Sequence, residues 1–358
     1  MKPFEHGGNI IRTARELGRS PEEILDFSAS INPLGIPEQV RAVLEAALPD
    51  VVHYPEVDAA GLTAALAAFH DLPEGHFLPG SGSTELIYLL PRVLRPRHAL
   101  LVAPCFSEYE RALLQAGTRI DFFALSPTED FRLDPLRLLH RMKPDCDLVL
   151  LANPGNPAGV GIAPDAVEEI ARGVREQAIV VVDEAFVDFC PSLSVLDRLT
   201  RHSNLYILRS FTKFYAIPGL RAGYLAGPER GVSHLARARE PWTLSVPALA
   251  AAHACLRADE YRRQTLELIP CWREVLRAGL EGLGMVVYPG EANYLLGRLP
   301  ENGPDAAALA GALRDKGILI RDCGNFAGLD ERFIRVAVRA GEENERLLEE
   351  MGTVLSRS

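Results

Sequence analysis

A lysine surrounded by apolar residues is the first position in this 358-residue sequence whose type could support covalent chemistry. Lys213 lies between Phe211 and Phe214 and is followed by Tyr215 and Ile217. Loss of hydration lowers the pKa of such an amine and makes it a nucleophile. The same pattern is compatible with a lysine at the edge of the core whose ammonium group reaches solvent.

Several groups suited to binding a phosphate occur near this lysine and further upstream. Ser210, Thr212 and Arg221 flank Lys213, and residues 80–85 (Gly-Ser-Gly-Ser-Thr-Glu) open a predicted helix. Glycines allow a ligand to approach the backbone, and a helix N-terminus offers free N–H groups to an anion. The segment is neither a P-loop nor a dinucleotide fingerprint, and a plain turn with a helix cap is the alternative.

Two polar segments directly follow apolar runs. Residues 153–159 come after residues 148–152, and Asp183 and Glu184 come after residues 179–182. In an open parallel sheet, ligands bind outside the carboxyl ends of the strands, so both segments are candidates for a site. The first is also compatible with a loop dense in turn formers, and the carboxylates are compatible with a metal ligand or a helix cap.

The order of these groups along the chain predicts a cofactor. Phosphate-binding groups, an aspartate at a strand end and a lysine 30 residues later (213 − 183 = 30) are the parts that hold pyridoxal 5′-phosphate. Lys213 would form the Schiff base, and Asp183 would pair with the protonated pyridine nitrogen. A helix N-terminus would take the phosphate.

The elements that must position these groups alternate between apolar runs and helix-like segments over residues 77–227. The runs are continuous in Val, Leu and Ile, which is typical of strands buried on both faces in a largely parallel sheet. Strands are predicted at 99–103, 148–152, 179–182, 205–208 and 222–226, and helices at 83–94, 107–116 and 164–176. The C-terminal hundred residues predict a smaller α+β domain, with one strand over residues 318–321.

These patterns predict an α/β protein with a mostly parallel central sheet in a large domain and a smaller α+β domain. Residues 1–48 form an N-terminal arm and part of the small domain, 49–261 the large domain, and 262–358 the small domain.

Composition excludes several classes of function. The net charge of −10 and the lack of basic clusters argue against nucleic acid binding. Apolar runs are too short to cross a bilayer, and the first residues lack the apolar core of a signal peptide. The six cysteines are dispersed, so neither a disulfide framework nor a metal site is indicated. We expect a cytoplasmic enzyme with a small-molecule substrate, no metal and no membrane.

The four segments together resemble the fold-type I pyridoxal-phosphate enzymes of the class I/II aminotransferase superfamily, over essentially the whole chain. Within it, the chain is similar to the branch that contains histidinol-phosphate aminotransferase and the L-threonine-O-3-phosphate decarboxylases of cobalamin biosynthesis. Residues 6–9, 25–35 and 208–221 are closer to the decarboxylases. The resemblance implies decarboxylation of L-threonine O-3-phosphate to (R)-1-amino-2-propanol O-2-phosphate and carbon dioxide. The alternative is a histidinol-phosphate, or related phosphate-substrate, aminotransferase using 2-oxoglutarate and glutamate.

The resemblance also implies a role for each matching position around the cofactor. Lys213 and Asp183 would be the catalytic residues, Asn156 would hydrogen-bond the ring oxygen O3′, and Phe106 would stack on the ring. Tyr54 would reach the cofactor phosphate of a partner subunit, which implies a homodimer. The positions that match the cofactor-phosphate site are Gly82, Ser83, Thr84, Ser210, Thr212 and Arg221.

Substrate binding is implied at four further positions. Arg335 matches the arginine that binds the substrate carboxylate. Arg321 is the candidate for the substrate phosphate, together with His6 and Asn32. One departure favours the decarboxylases: Phe186 stands where many aminotransferases have a tyrosine that donates to O3′.

Overall fold

The computed structural model describes residues 7–356. The helices are α1 Ile10–Leu17, α2 Glu38–Ala47, α3 Ala60–His70, α4 Gly82–Leu94, α5 Ser107–Gln115, α6 Pro135–Arg141, α7 Pro164–Gly173, α8 Glu229–Ala238, α9 Val246–Cys255, α10 Asp259–Gly282, α11 Ala306–Asp315 and α12 Gly341–Leu355. The strands are β1 Leu25–Asp26, β2 Phe77–Gly80, β3 His98–Ala103, β4 Arg119–Ala124, β5 Leu148–Ala152, β6 Ile179–Asp183, β7 Leu205–Ser210, β8 Gly223–Ala226, β9 Val286–Val287, β10 Tyr294–Arg298, β11 Ile318–Leu319, β12 Arg321–Asp322 and β13 Phe333–Ala337.

A seven-stranded sheet forms the centre of the molecule, in the order β2-β8-β7-β6-β5-β3-β4. Strands β7, β6, β5, β3 and β4 run parallel to one another, whereas β8 is antiparallel to both of its neighbours. Every residue of β3, β5 and β7 is buried, because apolar residues on both faces are covered by helices. The mostly parallel sheet predicted from the continuous apolar runs is confirmed.

The predicted end of α7 was wrong by three residues. The helix begins with Pro164 in its first turn, as expected, but ends at Gly173 rather than at residue 176. Glycine favours helix ends, and the following residues form a turn in which Gln177 and Ala178 donate to the carbonyl of Val174. Among the described helices, none is both long and apolar enough to cross a membrane.

The C-terminal part contains a four-stranded antiparallel sheet in the order β12-β13-β10-β9. The single strand predicted over residues 318–321 was wrong, because the chain changes sheets at Ile320. Strand β11 pairs in parallel with β1 of the N-terminal segment, whereas β12 pairs with β13. The short β1–β11 pair therefore connects the beginning of the described chain to its C-terminal part, and α2 packs against α9. The domain boundaries remain predictions.

Candidate active site

The carboxyl ends of β5, β6 and β7 open into a cavity of approximately 220 Å³. Because these strands are neighbours in register, Ala152 lies beside Asp183 and Asp183 lies beside Leu208. The residues that follow the strands therefore meet at one edge of the sheet. The cavity is lined by eight of the predicted site residues: Ser83, Thr84, Phe106, Asn156, Asp183, Lys213, Arg321 and Arg335.

Lys213 lies in the turn that follows β7, and its amine points into the cavity. Its Nζ donates to Ser210 Oγ at 3.2 Å and lies 5.6 Å from the centroid of the Phe186 ring. Burial lowers the pKa of Lys213 to about 8, opposed by the Asp183 carboxylate and reinforced by Arg221. About a tenth of this amine is therefore neutral and nucleophilic at pH 7, far more than for an ordinary lysine.

Asp183 is the last residue of β6, and its buried carboxylate has two donors in the described chain. The backbone N–H of Ala185 donates to Oδ1 at 2.9 Å, and the hydroxyl of Tyr109 donates to Oδ2 at 2.7 Å. Burial raises the pKa of Asp183, whereas the hydrogen bond from Tyr109 and the charge of Lys213 lower it. Sequence reasoning missed Tyr109, although it follows the predicted stacking residue Phe106 by only three positions.

The start of α4 and the Lys213 turn together form a cradle for an anion. Gly82 has φ +74°, and a Cβ there would lie 2.6 Å from a terminal nitrogen of Arg221. The positive φ favours glycine at this position, and the missing Cβ leaves room for the guanidinium against the first turn of α4, whose N–H groups lack helical partners. Ser210 and Thr212 hydrogen-bond each other through their hydroxyls at 2.7 Å.

Asn156 and Arg335 are joined across the cavity. The Oδ1 of Asn156 accepts a hydrogen bond from Arg335, which leaves the Asn156 amino group free to donate. Arg335 also donates to the carbonyl of Ser28 at 2.8 Å, and its guanidinium lies 5.3 Å from the Tyr294 ring centroid. The Nε of Arg335 is buried and has no hydrogen-bond partner among the described residues.

Arg321 occupies another part of the cavity wall. Its terminal nitrogens donate to the carbonyl of Asp322 at 2.6 Å and to Oδ1 of Asn325 at 2.8 Å, and its guanidinium lies 5.1 Å from the Phe326 ring centroid. The nearby segment 28–31 also lines the cavity, and the buried hydroxyl of Ser30 has no partner within residues 7–356. Sequence reasoning did not single out Ser30.

Asn32, the predicted substrate contact, does not line the cavity, and its role toward the substrate remains a prediction. Asn32 is only 2% exposed, and its amino group donates to the carbonyl of Phe214 and to the hydroxyl of Thr265, both at 2.9 Å. Its Oδ1 accepts from the N–H of Leu34, and its own N–H donates to the carbonyl of Lys213. The side chain is therefore used to attach the N-terminal segment to the Lys213 turn.

The other predicted residues of the described chain that do not line the cavity are Gly82, Ser210, Thr212, Arg221 and Tyr54. Tyr54 is 83% exposed, with its ring centroid 5.0 Å from that of Trp242, so it does not contact the site of its own chain. The predicted substrate contact at His6 falls outside the described residues.

Residues 22–351 match the model of the family "Aminotransferase class I and II". The chain belongs to this family. Its fold is accordingly that of the fold-type I enzymes, and its cofactor is pyridoxal 5′-phosphate, as the sequence predicted. Among the described residues, no group of His, Cys, Asp and Glu could hold a metal ion.

The relatives of this family member include enzymes of two activities. The chain is 38% identical to a threonine-phosphate decarboxylase of Salmonella typhimurium, over 98% of this chain and 96% of the relative. It is 31% identical to an adenosylcobalamin biosynthesis bifunctional protein of Leptospira interrogans, over 98% of this chain and 41% of that longer protein. A solved histidinol-phosphate aminotransferase of Clostridium acetobutylicum superposes with a TM-score of 0.87 at 28% identity, over 94% of this chain and 100% of the other.

The cavity of this aminotransferase-family chain fits the cofactor on its own geometry. A buried carboxylate at the end of β6 suits a protonated ring nitrogen, and a buried amine of lowered pKa suits an aldehyde. The close approach of Arg221 to Gly82 at a helix N-terminus suits a phosphate. The ring of Phe106 forms part of the cavity wall and suits a stacked ring.

Proposed function

We propose that this protein is a threonine-phosphate decarboxylase, which converts L-threonine O-3-phosphate to (R)-1-amino-2-propanol O-2-phosphate and carbon dioxide. The observation that carries the proposal is the presence of two buried arginines, Arg335 and Arg321, in the wall of the cavity that contains Lys213. A substrate with one carboxylate and one phosphate matches these two cations. The likeness to the decarboxylase of Salmonella typhimurium supports the same reaction, and the likeness to the bifunctional protein supports a place in cobalamin synthesis.

Arg335 is the proposed ligand of the substrate carboxylate. Its bonds to Ser28 and Asn156 hold the guanidinium plane in place before substrate arrives. Because its Nε has no partner among residues 7–356, the group still has a donor to offer an anion. Binding then adds a charge-assisted hydrogen bond without reorganising the arginine.

Arg321 is the proposed ligand of the substrate phosphate. Asn325 and Phe326 hold its guanidinium against the cavity wall, so the cation is positioned in advance. The unpartnered hydroxyl of Ser30 is a second donor for an anionic oxygen in this cavity. Two anion ligands at separate points orient the substrate and thereby select the bond at its α-carbon that breaks.

The remaining residues hold and move protons. Pyridoxal phosphate, when bound, supplies the electron sink that accepts the electron pair left by departing carbon dioxide. Asp183 keeps a proton on the ring nitrogen, which preserves that capacity. Lys213 is the residue that would hold the cofactor, and its amine would deliver a proton to the α-carbon of the substrate. Asn156 donates to O3′ without help from Phe186, which carries no hydroxyl.

Histidinol-phosphate aminotransferase is the second candidate. The superposition on the enzyme of Clostridium acetobutylicum supports it as a candidate. The two activities share the fold and the cofactor, so this likeness does not separate them. Such an aminotransferase requires 2-oxoglutarate as amino acceptor, whereas a decarboxylase requires no keto acid. This requirement separates the two candidates.

The homodimer and the cytoplasmic location predicted from the sequence belong to the same proposal. Burial of an aromatic side chain as exposed as Tyr54 against a second copy of the chain would stabilise a dimer. Several apolar side chains near it are exposed as well: Leu48, Val51, Val52, Val57 and Trp242. We place the hydroxyl of Tyr54 at the cofactor phosphate of the neighbouring subunit.

The proposed reaction is tested by mixing the pyridoxal-phosphate-loaded protein with L-threonine O-3-phosphate, without a keto acid, and measuring carbon dioxide. We expect sustained release over many turnovers. If no carbon dioxide appears and the protein instead transfers the amino group of histidinol phosphate to 2-oxoglutarate, it is an aminotransferase. Lys213→Ala serves as the inactive control.

A further inference from the structure

Tyr109 is a buried side chain whose hydroxyl reaches the carboxylate of Asp183. It lies in the first turns of α5, is 2% exposed and donates to Oδ2 of Asp183 at 2.7 Å. Phe106 packs edge to face against its ring, with centroids 5.7 Å apart. The ring also forms part of the cavity wall, so the hydroxyl is held where the cofactor nitrogen is expected.

The two donors to Asp183 have different consequences. The N–H of Ala185 belongs to the same chain segment as Asp183 and therefore moves together with it. The Tyr109 hydroxyl comes from a separate helix and therefore sets the orientation of the carboxylate relative to the cavity. A carboxylate oxygen has two lone pairs, so Oδ2 can accept from Tyr109 and from a second donor.

We propose that Tyr109 is a positioning residue for the cofactor: its hydroxyl keeps Asp183 ionised and turned toward the pyridine nitrogen of pyridoxal phosphate. The inference rests on the cofactor site within the proposed function, but not on which substrate the enzyme takes. Its action is entirely through Asp183.

The charges around Asp183 agree with this role. Tyr109 on α5, Lys213 after β7 and Tyr294 on β10 are the titratable groups that interact with it. Burial raises the pKa of Asp183, and the Tyr109 hydrogen bond and the Lys213 charge act against that rise. Loss of the hydroxyl therefore favours the protonated acid, which cannot hold a proton on a ring nitrogen.

The test is the affinity of the apoprotein for pyridoxal phosphate, measured by fluorescence titration of Tyr109→Phe. We expect the dissociation constant to rise at least about tenfold, the lower end of the effect of losing a hydrogen bond to a charged group. Tyr88→Phe is the matched control, because the Tyr88 hydroxyl also donates to a carboxylate, that of Glu108, outside the cavity lining. It should leave the affinity unchanged.

A double-mutant cycle with Asp183→Asn separates positioning from packing. If Tyr109 acts through Asp183, then Tyr109→Phe weakens binding in the wild-type background and has little further effect beside Asp183→Asn. If Tyr109→Phe folds poorly by itself, its stability is compared with that of the double variant. A double variant that is more stable than Tyr109→Phe would show the same coupling between Tyr109 and Asp183. Equal losses in both backgrounds would mean that the hydroxyl serves packing alone and would overturn the proposal.

The pH dependence gives a further readout. When the pH of the loaded enzyme is lowered, the absorbance spectrum of the bound cofactor should be lost at a higher pH in Tyr109→Phe than in the wild type, since Asp183 protonates more readily in the variant. An affinity and a spectrum equal to those of the wild type would reject the inference. Wild-type protein that binds no pyridoxal phosphate would instead contradict the proposed function.

Discussion

At the scale of single residues, the chemistry of the site depends on the burial of Lys213. The amine has Ser210 and the face of Phe186 as neighbours, and this poorly hydrated setting disfavours the ammonium form. The opposing charge of Asp183 limits the effect. The result is a lysine that is reactive near neutral pH and remains protonated often enough to donate a proton.

This lowered pKa predicts how the apoprotein captures its cofactor. The rate of pyridoxal phosphate attachment should rise with pH and level off above a midpoint at about 8, because the neutral amine is the nucleophile. Stopped-flow absorbance over a pH series measures it. A rate that keeps rising toward the ordinary lysine pKa of 10.5 would contradict the lowered value. Lys213→Ala should show no attachment at any pH.

Arg335 is the residue whose loss should act mainly on substrate binding. Arg335→Ala removes a buried cation from the proposed carboxylate site, so KM should rise at least about 30-fold, the lower end of ~2–5 kcal/mol. Steady-state kinetics with L-threonine O-3-phosphate measure this change. Arg346→Ala, at an exposed position of α12, is the control and should leave KM unchanged. A KM that barely moves in Arg335→Ala would place the carboxylate site elsewhere.

At the scale of elements, the site depends on how separate segments are joined at the sheet edge. A buried ion pair between Glu184 and Arg209, 3.0 Å apart, connects the end of β6 with β7. Asn32 then attaches the N-terminal segment to the turn that carries Lys213. These contacts fix the positions of Lys213, Asp183 and the segment 28–31 relative to one another.

Asn32→Ala should therefore act on stability more than on substrate affinity. Loss of the bonds to Phe214 and Thr265 leaves buried polar groups unpaired and should lower the free energy of unfolding by roughly 1–3 kcal/mol. Urea denaturation measures this quantity, with the exposed Asn302→Ala as control. An unchanged stability combined with a large rise in KM would instead support the predicted role of Asn32 as a substrate ligand.

At the scale of the whole molecule, the proposed dimer makes each site depend on two chains. Lys213→Ala and Tyr54→Ala should each be impaired as homodimers, and a mixture of the two should regain activity. The reason is that one site of each mixed dimer receives Lys213 from one subunit and Tyr54 from the other. Activity measured after unfolding and refolding the mixture tests this expectation.

The matched control pairs Lys213→Ala with Asp183→Asn. Both residues line the cavity of one and the same chain, so no mixed dimer of these variants has a complete site. This mixture should stay inactive. Failure of the Tyr54 mixture to exceed it would mean that Tyr54 acts within its own subunit or not at all.

The sequence by itself determined the reactive groups of this protein and the kind of sheet that carries them. The sequence predicted Lys213, Asp183 and the glycine-containing start of α4. In each case, the features that indicate a nucleophilic amine, a carboxylate at a strand end or a phosphate-binding helix start lie next to one another in the chain. The parallel sheet was predicted because burial on both faces leaves continuous apolar runs. The family likeness then extended these local patterns to Asn156, Arg321 and Arg335, all of which line the cavity.

Only the tertiary structure decided which partners these residues take. The sequence predicted a substrate contact for Asn32 but not the hydrogen bonds of its amino group to Phe214 and Thr265, which are 182 and 233 positions away. Tyr109 gained its role because α5 brings it against a strand end 74 positions further on. Likewise, residues 318–322 divide between two sheets because their partners lie at opposite ends of the chain. Hydrogen-bond partners over such distances are selected by the packed fold, and local residue patterns do not encode them.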